Sequence, residues 1–461
     1  MPRSKITGAL DRIDRRSVFY TLLYSYVDFV FKQYYGKVEV SGEENIPRNA
    51  PVIYAPNHQN ALMDALCILF TSPGDVVFLA RADIFRKPWM AKMLNTLKML
   101  PVFRIRDGAQ ELGKNQEIFD ITVGVLHRNH NLCLMPEGNH GDHRRLRTLV
   151  KGVFRIAFQA QEQSGNKPDI KIVPVGLDFS DYIKQNQKLL INYGKPIEVS
   201  EYWDLYAENN PKGINVLRER LEEEMKKLMI HISNEEYYDV YLDLRTVCND
   251  SMREKMGISG KKLSDRFVAD KEMIARLDGV LARDEEKIRE IAALVRPYSK
   301  GLKEQKIRDW VVRDRGYSLP RTLWRWLTLI LTLPVFLYGL INNALVYFIP
   351  VLLTRKIKDL QFHSSVKAGA SILLVFPLFY ILQTLLAGLL THSWWIGLAY
   401  LALLYPTGKL ALEWYLRLKK TVKGGAFGWK YRAGNERATD FVKMREAIIN
   451  RTCEILWDEK I

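Results

Sequence analysis

The chain lacks several features that would assign it to familiar classes. Its four cysteines, Cys67, Cys133, Cys248 and Cys453, lie far apart with no C-x-x-C pair, and its eight histidines do not cluster. That spacing argues against a zinc site or a disulfide framework and for a reducing compartment, and no bound metal or cofactor is implied. The opening stretch MPRSKITGALDRIDRR lacks the order of basic end, apolar run and small-residue cleavage site expected of a secretory signal. No G-x-S-x-G is present, which weakens an α/β-hydrolase reading. There is no internal repeat and no low-complexity segment.

Charge is missing from two long runs. Trp326 to Thr354 is 29 residues without a charged side chain, and Ala368 to Gly408 is 41 residues without Lys, Arg, Asp or Glu. One membrane span needs about 20 apolar residues, so the second run is long enough for two passes, turning near Thr391-His392-Ser393. Basic residues flank every boundary: Arg321 and Arg325, then Arg355, Lys356 and Lys358, then Lys409, Arg417, Lys419 and Lys420. By the positive-inside rule all three flanks belong to the cytoplasm. The first run is either one tilted span or a hairpin turning at Asn342-Asn343, and the flanks favour a shallow or re-entrant hairpin there, followed by a full two-pass hairpin at 368–408.

The rest of the chain is strongly basic. Lys plus Arg outnumber Asp plus Glu by 68 to 52, a formal charge of +16 in 461 residues. This balance suits nucleic acid, an anionic membrane surface or phosphorylated substrates, and no nucleic-acid-reading motif accompanies it. Residues 17–36, SVFYTLLYSYVDFVFKQYYG, follow Arg12, Arg15 and Arg16 and suit either an interfacial helix or a core helix. From Lys37 to about residue 200, strand-like and helical stretches alternate: KVEVSG, PVIYAP, VVFLAR, LPVFR, NLCLMPEG and IKIVPVGLDF as strands, with ALMDALCILF, PWMAKMLNTLKM, GKNQEIFDITVGVLHR and KGVFRIAFQAQEQ as helices. Alternation of this kind predicts an α/β domain with a largely parallel central sheet and surrounding helices. Residues 213–315 are charge-rich and helical. The expected organisation is an N-terminal basic helix (1–36), the α/β domain (37–212), a charged helical segment (213–322), membrane-embedded α-helices (323–411) and a basic cytoplasmic tail (412–461).

The densest chemistry lies in Val52 to Asp64, VIYAPNHQNALMD. Val52, Ile53 and Tyr54 read as the end of a buried strand, which Pro56 stops. His58 can take and return a proton near neutral pH, and a carboxylate can fix its tautomer. On one straight helix, positions i and i+6 are about 600° apart, so His58 and Asp64 cannot meet there. They meet if His58 sits in the turn and the helix starts near Asn60, a plausible N-cap. In parallel sheets ligands collect beyond the carboxyl ends of strands, and His58, Arg104 and Glu137 each follow an expected strand.

Asn57-His58-x4-Asp64 resembles the first signature block of the glycerolipid acyltransferases, the family of 1-acylglycerol-3-phosphate and glycerol-3-phosphate acyltransferases. Pro101-Val102-Phe103-Arg104 is similar to the second block, Met135-Pro136-Glu137-Gly138 to the third and Ile172-Val173-Pro174-Val175 to the fourth. All four stand in the family's order, within about residues 37–200. The resemblance implies a membrane acyltransferase of phospholipid biosynthesis that moves a fatty acyl group from acyl-CoA or acyl-carrier protein to a glycerol-phosphate-type acceptor. It implies His58 as general base, Asp64 as its orienter, and Asn57, Arg104, Arg106, Glu137 and Gly138 around the substrates. Arg104 is the phosphate-binding arginine of the second block, with Arg106 as a further candidate. The third block departs from the usual form at Met135, where phenylalanine is usual, and at Asn139-His140. The loop beyond adds His143 and the arginines of HRRLR. The layout, with a late membrane segment, resembles that of fungal-type glycerol-3-phosphate/dihydroxyacetone-phosphate acyltransferases. A non-catalytic lipid-binding or membrane-remodelling protein on the same domain is the alternative, and the intact His58 and Asp64 count against it.

The charge pattern places residue 360 on the cytoplasmic side. Leu360→Cys, in a background without the native cysteines, should resist a membrane-impermeant thiol reagent on intact cells. Labelling from outside would refute the two-hairpin arrangement.

Overall fold

In the computed structural model the residues described are 13–103, 114–163 and 169–457. The chain divides into two units. The first holds the residues up to His231 together with Ile357–Ser365, and the second holds Ile232–Lys356 and the chain from Val366 onward.

The first unit is built on a sheet of strands β1 (Lys37–Ser41), β2 (Val52–Pro56), β3 (Val76–Arg81), β4 (Met99–Val102), β5 (Asn131–Cys133), β6 (Lys171–Phe179), β7 (Lys188–Tyr193) and β8 (Ile197–Glu198). Its order is β1-β7-β6-β2-β5-β3-β4, with β8 against β6. All five residues of β2 are buried, as expected for an apolar run covered on both faces of a parallel sheet. β2 pairs in parallel with β6 and β5, and β3 pairs in parallel with β5 and β4. β7 and β8 run antiparallel to β6, and β1 is parallel to β7. The largely parallel sheet expected from alternation is therefore present, while KLLINY, which forms β7, adds an antiparallel pairing that alternation did not reveal.

Parallel neighbours need crossovers, and helices supply them. Helix α1 (Val18–Tyr34) precedes the sheet. Helices α2 (Leu62–Thr71), α3 (Pro88–Thr96), α4 (Lys114–His127) and α5 (Gly152–Gln163) connect the strands from β2 to β6, and α6 (Trp203–Glu208) and α7 (Asn210–Leu228) follow. Helix α1 packs on the first unit by one side and leaves apolar side chains exposed on the other. Tyr20 and Phe31 are buried, and the Tyr24 hydroxyl donates to the Leu69 carbonyl at 3.2 Å, while Val18, Phe19, Leu22 and Phe29 remain exposed. Helix α7, charged on its outer side, buries Leu217, Leu221 and Met225 in the core of this unit. Its last turn comes so close to β6 that a Cβ at Gly176 would lie 1.9 Å from the Leu228 carbonyl oxygen.

The second unit is helical: α8 (Tyr238–Val247), α9 (Asn249–Lys255), α10 (Leu263–Leu281), α11 (Glu285–Glu304), α12 (Asp309–Arg313), α13 (Leu319–Leu331), α14 (Leu333–Thr354), α15 (Gln361–Ala370, which starts in the first unit), α16 (Phe376–Leu390), α17 (Trp394–Arg432) and α18 (Glu436–Leu456). The buried Asp309 carboxylate accepts from the Tyr298 hydroxyl at 2.7 Å and from Arg445 Nε at 2.9 Å, tying α11, α12 and α18 together. Two helices, α14 and α17, are long and apolar enough to cross a membrane among the described residues. Helices α16 and α17 turn at Thr391-His392-Ser393, as expected.

The turn expected at Asn342-Asn343 is absent, because α14 runs through both residues for 22 residues, about 33 Å at 1.5 Å per residue. The chain breaks instead between Leu331 and Leu333. The two asparagines stay helical because their polar groups are satisfied. Asn343 Nδ2 donates to the Gly339 and Leu404 carbonyls at 3.0 and 3.1 Å, and its Oδ1 accepts from the Tyr380 hydroxyl at 2.7 Å. Asn342 Nδ2 donates to the Tyr338 carbonyl at 2.7 Å. Helix neighbours thus do what a lipid-facing asparagine could not arrange alone.

Gly176→Ala should lower stability by about 1–3 kcal/mol, since the atom it would strike is backbone and cannot rotate away. Denaturant unfolding of the variant against the parent measures this, and an unchanged midpoint would contradict the close approach of α7 to β6.

Candidate active site

The site grows out of the end of β2. Asn57 N donates to the Val175 carbonyl at 3.2 Å. The Asn57 side chain bonds the Leu177 backbone twice: Nδ2 donates to its carbonyl at 3.2 Å and Oδ1 accepts its N–H at 2.6 Å. Asn57 is fully buried, so its contact with the site runs through β6. The fourth signature block lies in β6, where Pro174 pairs with Ala55 and Val175 with Pro56. It fixes the strand end from which the histidine emerges.

His58 lies in the turn and α2 begins at Leu62, the arrangement that lets positions six apart meet. His58 Nδ1 is 2.8 Å from Asp64 Oδ2. The same oxygen accepts the backbone N–H groups of Gln59 at 2.9 Å and Asn60 at 2.7 Å. The turn is wrapped around one carboxylate oxygen. A carboxylate only accepts, so Nδ1 carries the proton and Nε2 presents its lone pair. No hydrogen-bond partner reaches Nε2 among the described residues. Asp64 is fully buried, whereas the His58 side chain keeps 16% of its surface open.

The expected N-cap at Asn60 is displaced by one residue. Ala61 occupies the cap position at φ 47°, ψ −118°, with no side-chain capping bond. A non-glycine residue at positive φ is strained and persists only where its surroundings hold it. Here Asn60 gives its N–H to Asp64, which draws the chain past the ordinary cap geometry.

Glu137 and Gly138 follow β5. Glu137 Oε1 accepts the His58 backbone N–H at 2.7 Å, and Oε2 accepts from Arg147 N and Nε, both at 3.1 Å. Burial pushes the Glu137 carboxyl above the usual carboxylate range, against the pull of the His58 N–H and the Arg147 guanidinium. Gly138 has φ +70°, the left-handed turn that sends the chain back over the site. The loop that follows closes on the histidine turn: Gly141 N donates to the His58 carbonyl at 3.0 Å, and Gln59 Nε2 donates to the His143 carbonyl at 2.9 Å. Arg147 Nη2 is buried without a hydrogen-bond partner among the described residues. Of the three arginines of HRRLR, Arg147 is thus tied to the site through Glu137 and still holds a free donor. Spacing alone could not single it out.

Arg104 and Arg106 lie outside the described residues. The strand before them, β4, is parallel to β3 and ends at Val102. Cys67 and Cys133 lie near Asp64, and burial pushes both thiols well above their ordinary range, so neither offers a thiolate. No group of three His, Cys, Asp or Glu residues is placed to hold a metal among the described residues.

The geometry can do acid–base chemistry with an imidazole held in one tautomer. Residues 37–178 match the family model described as Acyltransferase. The 1-acyl-sn-glycerol-3-phosphate acyltransferase of Borreliella burgdorferi is 29% identical over 125 residues, 27% of this chain and 47% of that protein. Glycerol-3-phosphate O-acyltransferase 1 of Saccharomyces cerevisiae is 22% identical over 320 residues, 66% of this chain and 38% of that protein. The chain spans less than half the length of each of these relatives. The solved structure of the 1-acyl-sn-glycerophosphate (LPA) acyltransferase PlsC from Thermotoga maritima aligns with a TM-score of 0.33 at 17% identity, over 45% of this chain and 79% of that one. The segment that matches the Acyltransferase family model is the one in which the signature blocks and the His58–Asp64 pair both lie.

Proposed function

We propose that the protein is a membrane O-acyltransferase of phospholipid biosynthesis. It transfers a fatty acyl group from acyl-CoA or acyl-carrier protein to a hydroxyl of glycerol 3-phosphate or 1-acylglycerol 3-phosphate. The observation that carries this reading is the 2.8 Å contact between His58 Nδ1 and Asp64 inside the acyltransferase-family segment, with Nε2 left open.

His58 Nε2 takes the proton of the acceptor hydroxyl as its oxygen attacks the thioester carbonyl. Asp64 holds the ring and stabilises the imidazolium that forms. The tetrahedral intermediate collapses with loss of the thiolate, which recovers the proton from His58 Nε2 as the ester is released. No protein nucleophile is needed, in keeping with the absence of G-x-S-x-G. Arg104, by the resemblance, holds the acceptor phosphate, and a guanidinium suits that task through paired N–H donors. Arg106 and the free Nη2 of Arg147 are further donors on offer. Glu137 and Gly138 shape the turn that faces His58. The apolar helices α14 and α16–α17 anchor the protein in the bilayer with the site on the cytoplasmic face, where the acyl donor is carried.

Thioester consumption by the purified protein with a panel of acceptors tests the reading directly. His58→Ala should abolish transfer in a protein that still unfolds cooperatively, and Asp64→Asn should cut kcat by up to about 10⁴. Wild-type turnover in a folded His58→Ala protein would sink the mechanism. Arg104→Ala should raise the acceptor KM about 10- to 100-fold and leave the donor KM near its parent value, as expected for one lost charge-assisted contact. Equal effects on both substrates would mean a general defect instead.

A further inference from the structure

The turn that carries His58 is not held by its own neighbours alone. A short segment from more than 290 residues further along, Ile357–Ser365, belongs to the same unit and packs on it. Asp359 Oδ2 lies 2.6 Å from His140 Nε2. The His140 ring stands at right angles to the His58 ring, centroids 5.7 Å apart, and at right angles to the Phe362 ring at 4.7 Å. The Ser364 hydroxyl donates to the Tyr182 carbonyl, and the Tyr182 hydroxyl donates to Gln59 Oε1 at 2.5 Å. Ser365 Oγ accepts the Leu62 N–H at 2.9 Å and donates to the Asn60 carbonyl at 3.3 Å. The segment braces itself as well, since His363 Nε2 donates to the Ile357 carbonyl at 2.9 Å.

These contacts repair the defects of the histidine turn. Helix α2 starts behind a strained Ala61 that has no capping side chain, and its first N–H groups need acceptors. Ser365 Oγ supplies one at Leu62, two residues before Asp64, and so does from a distance what an N-cap serine does locally. If that first turn loosened, Asp64 would leave His58 Nδ1. Asp359 works on the other flank. As an acceptor for His140 Nε2 it fixes that ring, and the edge-to-face packing of His140 limits the swing of His58. Both Ser364 and Ser365 are buried.

We propose that Asp359 and Ser365 are positioning residues of the His58–Asp64 pair. This rests on His58 being the base of the transfer. It also requires any bilayer entered by the flanking helices to leave this segment on the same face as the dyad.

The test uses the full chain with acyl-CoA and glycerol 3-phosphate. Ser365→Ala and Asp359→Asn should each lower kcat about tenfold with both KM values within about twofold of the parent. Ser365→Thr and Asp359→Glu, which keep the hydroxyl and the carboxylate, should restore most of the loss. Amide hydrogen exchange over residues 58–66 should quicken in Ser365→Ala, while Leu360→Ala, an exposed position on the same segment, leaves kcat unchanged. Parent-like kcat in both Ser365→Ala and Asp359→Asn, alongside an inactive His58→Ala, overturns the positioning role and spares the base. A rise in kcat overturns it too, because the segment would then be a plug. Loss of activity that follows loss of thermal stability, with no rescue by the conservative variants, reduces the contacts to folding. An active His58→Ala protein refutes the underlying mechanism instead.

Discussion

One carboxylate oxygen organises the centre of the first unit. Asp64 Oδ2 receives the His58 ring and the backbone N–H groups of Gln59 and Asn60. A buried carboxylate without donors would be strongly disfavoured, so the turn must curl to bring its N–H groups inward. That curl forces Ala61 to positive φ and leaves α2 uncapped by its own side chains. The remaining contacts of the site answer this constraint. Glu137 anchors the His58 N–H from one side, Gly141 its carbonyl from another, and Ser365 the start of α2 from a third.

The sheet explains why these groups share an edge. β2, β5 and β6 run in parallel, so the segments after their carboxyl ends converge. His58 follows β2, Glu137 follows β5, and Tyr182 follows β6. Asn57 locks β2 to β6 through Leu177 and keeps the histidine turn in register with its supports. A one-residue slip between these strands would invert the side chains at their ends and separate the pair.

The apolar helices of the second unit obey a different constraint. In apolar surroundings a polar side chain must find its partners within the protein, and Asn342 and Asn343 do so on α14 and its neighbours. This is why the pair sits in mid-helix rather than at a turn. Glycines at 339 and 408 let the helices come close enough for these bonds, since a Cβ at Gly408 would meet the Asn343 amide at 2.7 Å.

Sequence by itself determined whatever depends on local pattern. The apolar runs of β2, β3 and β6, the helices between them and the turn at Thr391-His392-Ser393 were legible, because periodicity and a proline stop act over short stretches, while the His58–Asp64 contact was expected through the resemblance of its signature block. Tertiary structure decided what depends on residues far apart in the chain. KLLINY joins the sheet antiparallel to β6, Arg147 pairs with Glu137, the asparagines of α14 stay helical, and Asp359 and Ser365 reach the dyad. None of these follows from spacing, since Leu62 and its capping serine are 303 residues apart. Only a folded chain brings such groups within hydrogen-bond distance, and the energy of each bond depends on the burial that the fold creates around it.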